Sequence, residues 1–90
     1  MADQTNEMTG LVDCLVRPLV EDEDQLNIVS SQTDNGTILI EVHVSEQDAG
    51  KVIGRQGRVI KSIRTLVRAA ASRTNSHVEV EIIEIGRAHV

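Results

Sequence analysis

Apolar residues recur at helical spacing near the start of the chain. Three leucines and two valines repeat at intervals of about four residues between Met8 and Val20, which predicts a helix with one buried stripe. The stripe consists of Leu11, Val12, Leu15, Val16 and Leu19. Pro18 lacks a backbone donor and should kink this helix or end it just before that residue. Because Cys14 lies near the stripe, we expect it to be a buried or half-buried small hydrophobe.

Two strands are predicted next, joined by a turn. Residues 25–32 alternate only in part, whereas residues 37–44 place an apolar residue at every second position, with Thr37, Leu39, Glu41 and His43 on the opposite face. The strict row consists of Ile38, Ile40, Val42 and Val44. Asp34-Asn35-Gly36 separates the two runs, and asparagine and glycine adopt the positive φ of a tight turn at little cost. This pattern predicts a β-hairpin.

Two helices and a third strand complete the pattern. Ser45 lies three residues before Asp48, which is the spacing of a capping box and predicts a short helix that runs to about residue 53. A longer helix is expected over residues 57–74, and a strand over residues 77–85. The longer helix should carry its bases on the face opposite its apolar residues: Arg58, Lys61, Arg64 and Arg68.

The order of these elements is α-β-β-α-α-β. Strands with one apolar face need a covering layer, and three amphipathic helices supply one. The two helices between the second and third strands form a connection long enough for a parallel pair. We therefore predict an α+β fold of two layers, in which three helices cover one face of a mixed three-stranded sheet. Ninety residues suit a single domain over 1–90, with its core at about 8–85 and short frayed termini.

The composition excludes several classes of mechanism. The chain contains no phenylalanine, tyrosine or tryptophan, so recognition by stacking on those rings is absent. A single cysteine excludes an internal disulfide framework and a cysteine-based zinc site. No apolar run approaches the roughly 20 residues of a membrane span, so we expect a cytoplasmic protein without a membrane partner.

Charge is distributed very unevenly along the chain. The formal net charge is -5, and residues 1–48 carry eleven acids against one base. Residues 49–78 carry seven bases and no acid: Lys51, Arg55, Arg58, Lys61, Arg64, Arg68 and Arg73. Because a partner responds to the local field, this basic block suits a polyanion. The alternative is that the block pairs with the acidic remainder of the chain.

Two glycines in the basic block lie three residues apart, between the two later helices. Without side chains at Gly54 and Gly57, a phosphate can approach the main chain and meet amide donors at the start of the following helix. Arg55 should project from the loop tip, with Lys51 and Arg58 beside it. The alternative is that both glycines only cap helices.

The run Val52-Ile53-Gly54-Arg55-Gln56-Gly57, followed by Ile60, resembles the signature of KH domains, which bind single-stranded RNA through a Gly-x-x-Gly loop. The helix-first order resembles the type II, prokaryotic arrangement. The small size and the Arg-Pro-Leu-Val and Gly-Lys-Val-Ile-Gly segments resemble the bacterial KhpA family. This resemblance covers about residues 8–84.

The resemblance implies a groove for about four nucleotides between the loop helices and the central strand. It implies phosphate contacts at Gly54, Arg55, Gln56 and Gly57, apolar walls at Val52, Ile53 and Ile60, and supporting charge at Lys51, Arg58 and Lys61. Ile53 and Ile60 have an alternative role as core residues. The remaining bases are expected on a solvated helix face or on a rim of weak phosphate contacts: Arg64, Arg68 and Arg73.

Other chemistries lack support in the sequence. The glycine spacing of a nucleotide-triphosphate loop is absent around Lys51. His43, His77 and His89 lack the spacing of metal ligands, and no catalytic arrangement is discernible. We therefore expect no enzyme activity, no cofactor and no metal.

The predicted function is single-stranded RNA binding, as an RNA chaperone or post-transcriptional regulator. The resemblance implies a homodimer or a heterodimer with a KhpB-like KH protein, and a link to cell shape and peptidoglycan homeostasis. The dimer surface could lie on the loop helices, with Val52 and Ile53 exposed, or on an outer sheet edge. The alternative function is a dimerising interaction adaptor with residual affinity for nucleic acid, including single-stranded DNA.

Overall fold

The computed structural model describes residues 4–85 of the chain. Its elements are α1 (Gln4–Val16), β1 (Asn27–Gln32), β2 (Ile38–Ser45), α2 (Glu46–Ile53), α3 (Arg58–Ser72) and β3 (Val78–Ile85). Single 3-10 turns lie at Arg17–Leu19, Glu23–Gln25 and Arg55–Gly57. The predicted order of helices and strands is confirmed. Residues 1–3 and 86–90 lie outside the described residues, so the expectation of frayed termini and the expectation for His89 stay predictions.

The three strands form one mixed sheet in the order β1-β2-β3. The central strand β2 pairs antiparallel with β1 and parallel with β3, so Ile40 lies opposite Ser30 on one side and Val80 on the other. The two helices between β2 and β3 provide the crossover that a parallel pair requires. The prediction of a mixed sheet with a parallel β2–β3 pair is confirmed.

The core lies between the sheet and the three helices. The four alternating apolar residues of β2 are all buried, as the strict alternation predicted: Ile38, Ile40, Val42 and Val44. They face buried residues that all three helices contribute, including Val12, Val52 and Val67. Each such side chain stabilises the fold by roughly 1.5–3 kcal/mol relative to an exposed one.

The first helix differs from its prediction in its start and in its buried stripe. It begins at Gln4, before the predicted start, and ends at Val16, after which Pro18 lies in a 3-10 turn. Full burial falls on Met8, Val12 and Val16, whereas the leucines beside them are half-buried.

The expectation of a buried or half-buried Cys14 is wrong, because this residue is exposed. Each residue of an α-helix is rotated by about 100° from the one before. Two steps from the buried Val12 therefore carry Cys14 to the far side of α1.

The capping box predicted at the start of α2 forms only in part. The Ser45 hydroxyl accepts a hydrogen bond from the Asp48 amide at 3.2 Å, as predicted. The Asp48 carboxylate is buried and accepts hydrogen bonds from the amides of Glu21 at 3.0 Å and Asp22 at 2.9 Å. Through these hydrogen bonds Asp48 links Glu21 and Asp22, which follow α1, to α2, the helix that leads into the glycine loop.

These contacts predict that protonation of Asp48 at low pH lowers the free energy of unfolding. Hydrogen bonds from the two backbone amides hold the pKa of its carboxyl below its usual range near 4. A depressed folded-state pKa contributes stability that is present above about pH 4 and is lost as the pH falls through the folded-state value. Urea unfolding midpoints should therefore fall more steeply below pH 4 for the native chain than for Asp48→Asn. Parallel curves for the two proteins would contradict this prediction.

Candidate nucleic-acid interface

The glycine loop makes a sharp corner between α2 and α3. Gly54 ends α2 with φ 79° and ψ 172°, and its amide donates to the Gly50 carbonyl at 2.8 Å. Gln56 and Gly57 follow with φ values of 59° and 74°, both in the left-handed region. The loop therefore places three residues in conformations that L side chains rarely adopt.

Both glycines do act as helix caps, and this leaves the start of α3 available. Gly54 is the C-cap of α2, and Gly57 is the N-cap of α3. Because Gly57 has no side chain, the first turn of α3 receives no hydrogen bond from its cap residue. The positive end of a 15-residue helix is thus open at the loop, which is the arrangement that binds anions.

Basic side chains surround this helix start without being neutralised. Arg55, Arg58 and Lys61 are exposed, and within residues 4–85 none of the three forms an ion pair. The Arg58 guanidinium donates to the Gln56 side-chain oxygen at 3.3 Å, so it is drawn towards the loop. The alternative, in which the basic block forms ion pairs with the acidic remainder of the chain, therefore does not hold for these three residues at the loop.

Lys51 has a different environment from the other loop bases. Its ammonium lies 2.7 Å from a Glu21 carboxylate oxygen and 3.7 Å from the Asp48 carboxylate. The hydrogen bond with Glu21 raises the pKa of Lys51. Lys51 therefore helps Asp48 to hold α2 against the segment that follows α1. Its positive charge is already partly balanced by the carboxylates of Glu21 and Asp48.

The predicted apolar walls are only partly accessible. Val52 is 0% exposed and Ile60 is 6% exposed, so both lie in the core, which for Ile60 is the alternative role given above; their contact with RNA stays a prediction. Ile53 is 36% exposed and is the accessible residue of the three. The reason lies in the α2 helix, which packs Ala49 and Val52 against the core and turns the next residue outward.

Arg64 has a more specific position than the solvated rim that the sequence indicated. Its side chain is half-buried, and its Nε donates to the Val80 carbonyl on β3 at 3.0 Å. The His77 carbonyl accepts from Ile38 on β2, so alternation along β3 turns the Val80 carbonyl towards the open edge of the sheet. The predicted hairpin and the predicted parallel pair together imply that β3 is an edge strand, and this is the signal that could have identified the contact.

The basic face of α3 therefore lies beside β3. Arg68 also reaches this strand, where its guanidinium lies 3.3 Å from the Glu79 carboxylate. The central strand β2 presents only buried side chains on the helix-covered face. Arg64 and Arg68 thus line the space between α3 and the edge strand β3, which we call the crevice, whereas the groove that the resemblance places against the central strand stays a prediction.

Other kinds of site are not found in the described part of the chain. Residues 4–85 contain no group of three histidine, cysteine or acidic side chains that could hold a metal ion. No helix within the same residues is long and apolar enough to cross a membrane.

Comparison with known proteins identifies the family. Residues 9–82 match the family model described as the KH domain of KhpA and KhpB. The chain belongs to this KhpA/KhpB KH-domain family. A relative from Borreliella burgdorferi, named RNA-binding protein KhpA, is 40% identical over 84 residues, which cover 93% of this chain and all of the relative. The protein of the same name from Clostridium acetobutylicum is 43% identical over 76 residues, which cover 84% of this chain and all of that relative.

Solved structures show the same fold. Era from Aquifex aeolicus, bound to GDP and AlF4-, matches with a TM-score of 0.61 at 15% sequence identity, over 94% of this chain and 33% of that one. A structure of Era in complex with MgGDPNP and nucleotides 1506–1542 of 16S ribosomal RNA matches with a TM-score of 0.60, over 93% of this chain and 33% of that one. The KhpA/KhpB KH domain therefore shares its architecture with part of a larger protein. A type II KH fold is confirmed, and the family is one of KH-domain proteins rather than of enzymes.

Proposed function

We propose that this chain is a cytoplasmic protein that binds single-stranded RNA through the Gly-x-x-Gly loop, as one KH domain over residues 1–90. The observation that carries the proposal is the uncapped start of α3 beside Arg55, Arg58 and Lys61, which have no carboxylate partner within residues 4–85. Two supporting findings are the names of the relatives, which are RNA-binding proteins, and the RNA complex of Era.

The proposed contacts divide the site into two parts. Gly54 to Gly57 and the first turn of α3 hold phosphates, because backbone amides and the helix dipole both favour an anion there. Arg58 and Lys61 add charge from the exposed face of α3. Ile53 supplies an apolar contact beside the loop.

Arg64 is the residue that we add to the predicted site. Its Nε is fixed by the Val80 carbonyl, so the guanidinium plane has a defined direction while its other nitrogens stay available. A guanidinium held in this way contacts the bound strand with less loss of conformational freedom than a free arginine. In this proposal Arg64 contacts the bound RNA strand beyond the phosphates that the loop holds.

Salt dependence and strand preference test the proposal. Phosphate contacts release counterions, so the affinity for a short RNA should fall steeply between 50 and 200 mM salt, with a logarithmic slope of about -0.7 per contact. A single-stranded octamer should bind more tightly than the same octamer annealed to its complement, because a loop of this kind grips the backbone of unpaired nucleotides. Fluorescence anisotropy with labelled oligonucleotides measures both. Equal affinity for the duplex, or a flat salt response, would contradict RNA binding at the loop.

We also propose that the protein works as a dimer, with itself or with a KhpB-like partner. One short groove without aromatic stacking gives weak binding, and a second groove raises the affinity through effective concentration. The family model that matches the chain includes KhpB as well as KhpA. Val52 is buried, so of the loop-helix residues suggested for the interface only Ile53 is available.

Light scattering tests dimerisation. We expect the mass of a dimer at tens of micromolar protein. Val29 on the edge strand β1 and Leu66 on α3 are exposed large hydrophobic residues, so Val29→Asp and Leu66→Asp should show which surface is used. A monomer mass at this concentration, together with no KH partner recovered from cells, would contradict the proposal.

Within cells we propose a role as an RNA chaperone or post-transcriptional regulator linked to cell shape and peptidoglycan homeostasis. The second candidate is an interaction adaptor whose affinity for nucleic acid is incidental, and the exposed Val29 and Leu66 favour it. Crosslinking and sequencing of bound RNA separates the two, because an adaptor would recover no reproducible set of transcripts.

A further inference from the structure

The crevice between α3 and β3 ends in a small cavity far from the glycine loop. It lies where the chain leaves α3 and enters β3, and its volume is about 240 Å³. Its lining consists of Arg68, Ser72, Ser76, His77, Val78 and Glu79. The cavity is thus an opening with charged and hydroxyl groups on the same side of α3 as the crevice.

The distance between the loop and the cavity shows which nucleotide of a bound RNA strand could reach the cavity. α3 is 15 residues long, so its C-terminal end lies about 22 Å from the loop at its start. Four stacked nucleotides at about 3.4 Å each cover roughly 14 Å. A nucleic-acid strand that starts at the loop and follows the basic face of α3 therefore reaches the cavity only beyond its fourth nucleotide.

The chemistry of the cavity suits a sugar better than a phosphate. The Arg68 guanidinium donates to the Glu79 carboxylate at 3.3 Å, and both side chains are more than half exposed. A phosphate placed here would be repelled by Glu79. A ribose hydroxyl, in contrast, donates to a carboxylate and accepts from a guanidinium, so it matches both members of the pair.

We propose that this cavity binds the ribose of a nucleotide beyond the fourth, with Glu79 accepting a hydrogen bond from the 2′-hydroxyl and Arg68 donating to the same sugar. The inference rests on the proposed function, since the strand is delivered by the loop. The 2′-hydroxyl is the group that distinguishes RNA from DNA. Glu79 is therefore the residue that selects RNA over single-stranded DNA.

The test compares two octamers of one base sequence, one RNA and one DNA with deoxyuridine in place of uridine, so that only the sugars differ. The native chain should bind the RNA about threefold to tenfold more tightly, as one hydrogen bond at an exposed site allows. Glu79→Ala should reduce this ratio to about one. The matched control is Glu81→Ala, which removes the same charge from an exposed position of the same strand but outside the cavity lining, and should keep the ratio.

The ratio of the RNA affinity to the DNA affinity distinguishes recognition of the sugar from a general effect of charge. Removal of either glutamate takes one negative charge from the protein and should raise the affinity for the DNA octamer to a similar extent. Only Glu79→Ala also loses the hydrogen bond to the 2′-hydroxyl, so only this variant should change the preference. Equal binding of RNA and DNA by the native chain, or an unchanged ratio in Glu79→Ala, would overturn the inference and leave RNA binding at the loop intact. Binding of neither octamer would overturn the proposed function together with it.

Discussion

Replacement of Arg55 and Gln56 together by aspartate is expected to abolish binding of single-stranded RNA while the fold remains. The change puts two carboxylates where phosphate should lie, beside the uncapped start of α3, and removes one of the unpaired cations. Both residues are exposed, and Gln56 has a φ of 59°, a conformation that aspartate adopts more readily than most residues. The affinity measured by anisotropy should fall by about 100-fold or more, which corresponds to at least about 2.7 kcal/mol.

The matched control carries the same change in charge at the other end of α3. Arg73→Asp with Asn75→Asp also removes one cation and adds two carboxylates, at exposed positions, and Asn75 has the same φ of 59° as Gln56. This control should lose only the general electrostatic attraction, about tenfold or less. Circular dichroism melting curves establish that both variants fold. Equal losses in the two double variants would mean that overall charge, and not the loop, governs binding.

The features that the sequence predicted correctly are those with local causes. The strict alternation of β2 indicated its buried face, since a strand has a period of two. The Ser45 cap and the end of α2 at Gly54 depend on contacts within a few residues of each. The glycine loop is equally local, and its spacing carried the resemblance to KH domains.

The features that the sequence missed depend on contacts between distant segments. The hydrogen bonds of Asp48 join residues 26 and 27 positions apart, so its spacing from Ser45 could not show that its carboxylate faces Glu21 and Asp22. The contact of Arg64 with Val80 depends on β3 forming the edge of the sheet. Burial of Val52 follows from which side of α2 meets the sheet, which the motif itself does not specify.

The two glycines of the loop differ in what surrounds them, and this predicts unequal effects of alanine. Both have positive φ values. Gly57 lies in the left-handed region, which costs an L residue roughly 1–2 kcal/mol, whereas Gly54, with ψ 172°, lies in a region that is essentially confined to glycine and costs about 1–3 kcal/mol. A Cβ at Gly54 would also lie 2.8 Å from the Val59 Cβ and 2.9 Å from the Val59 backbone nitrogen, whereas a Cβ at Gly57 would meet only Ile60 at 4.0 Å. We therefore expect Gly54→Ala to lower the free energy of unfolding by about 3 kcal/mol or more, because a contact with backbone forces the start of α3 to move.

Gly57→Ala is the matched comparison, since it adds the same methyl group to the same loop. It should cost only about 1–2 kcal/mol, or roughly 5–15 °C in melting temperature for a domain of this size. Gly54→Ala should melt well below it, and adding Val59→Ala should restore part of the difference, because it removes the contact with the Val59 Cγ2 and keeps those with the Val59 Cβ and backbone nitrogen. Urea and thermal unfolding measure all three. Equal midpoints for the two single variants would show that Val59 does not confine the chain at Gly54, and that the corner between α2 and α3 can open to admit a side chain.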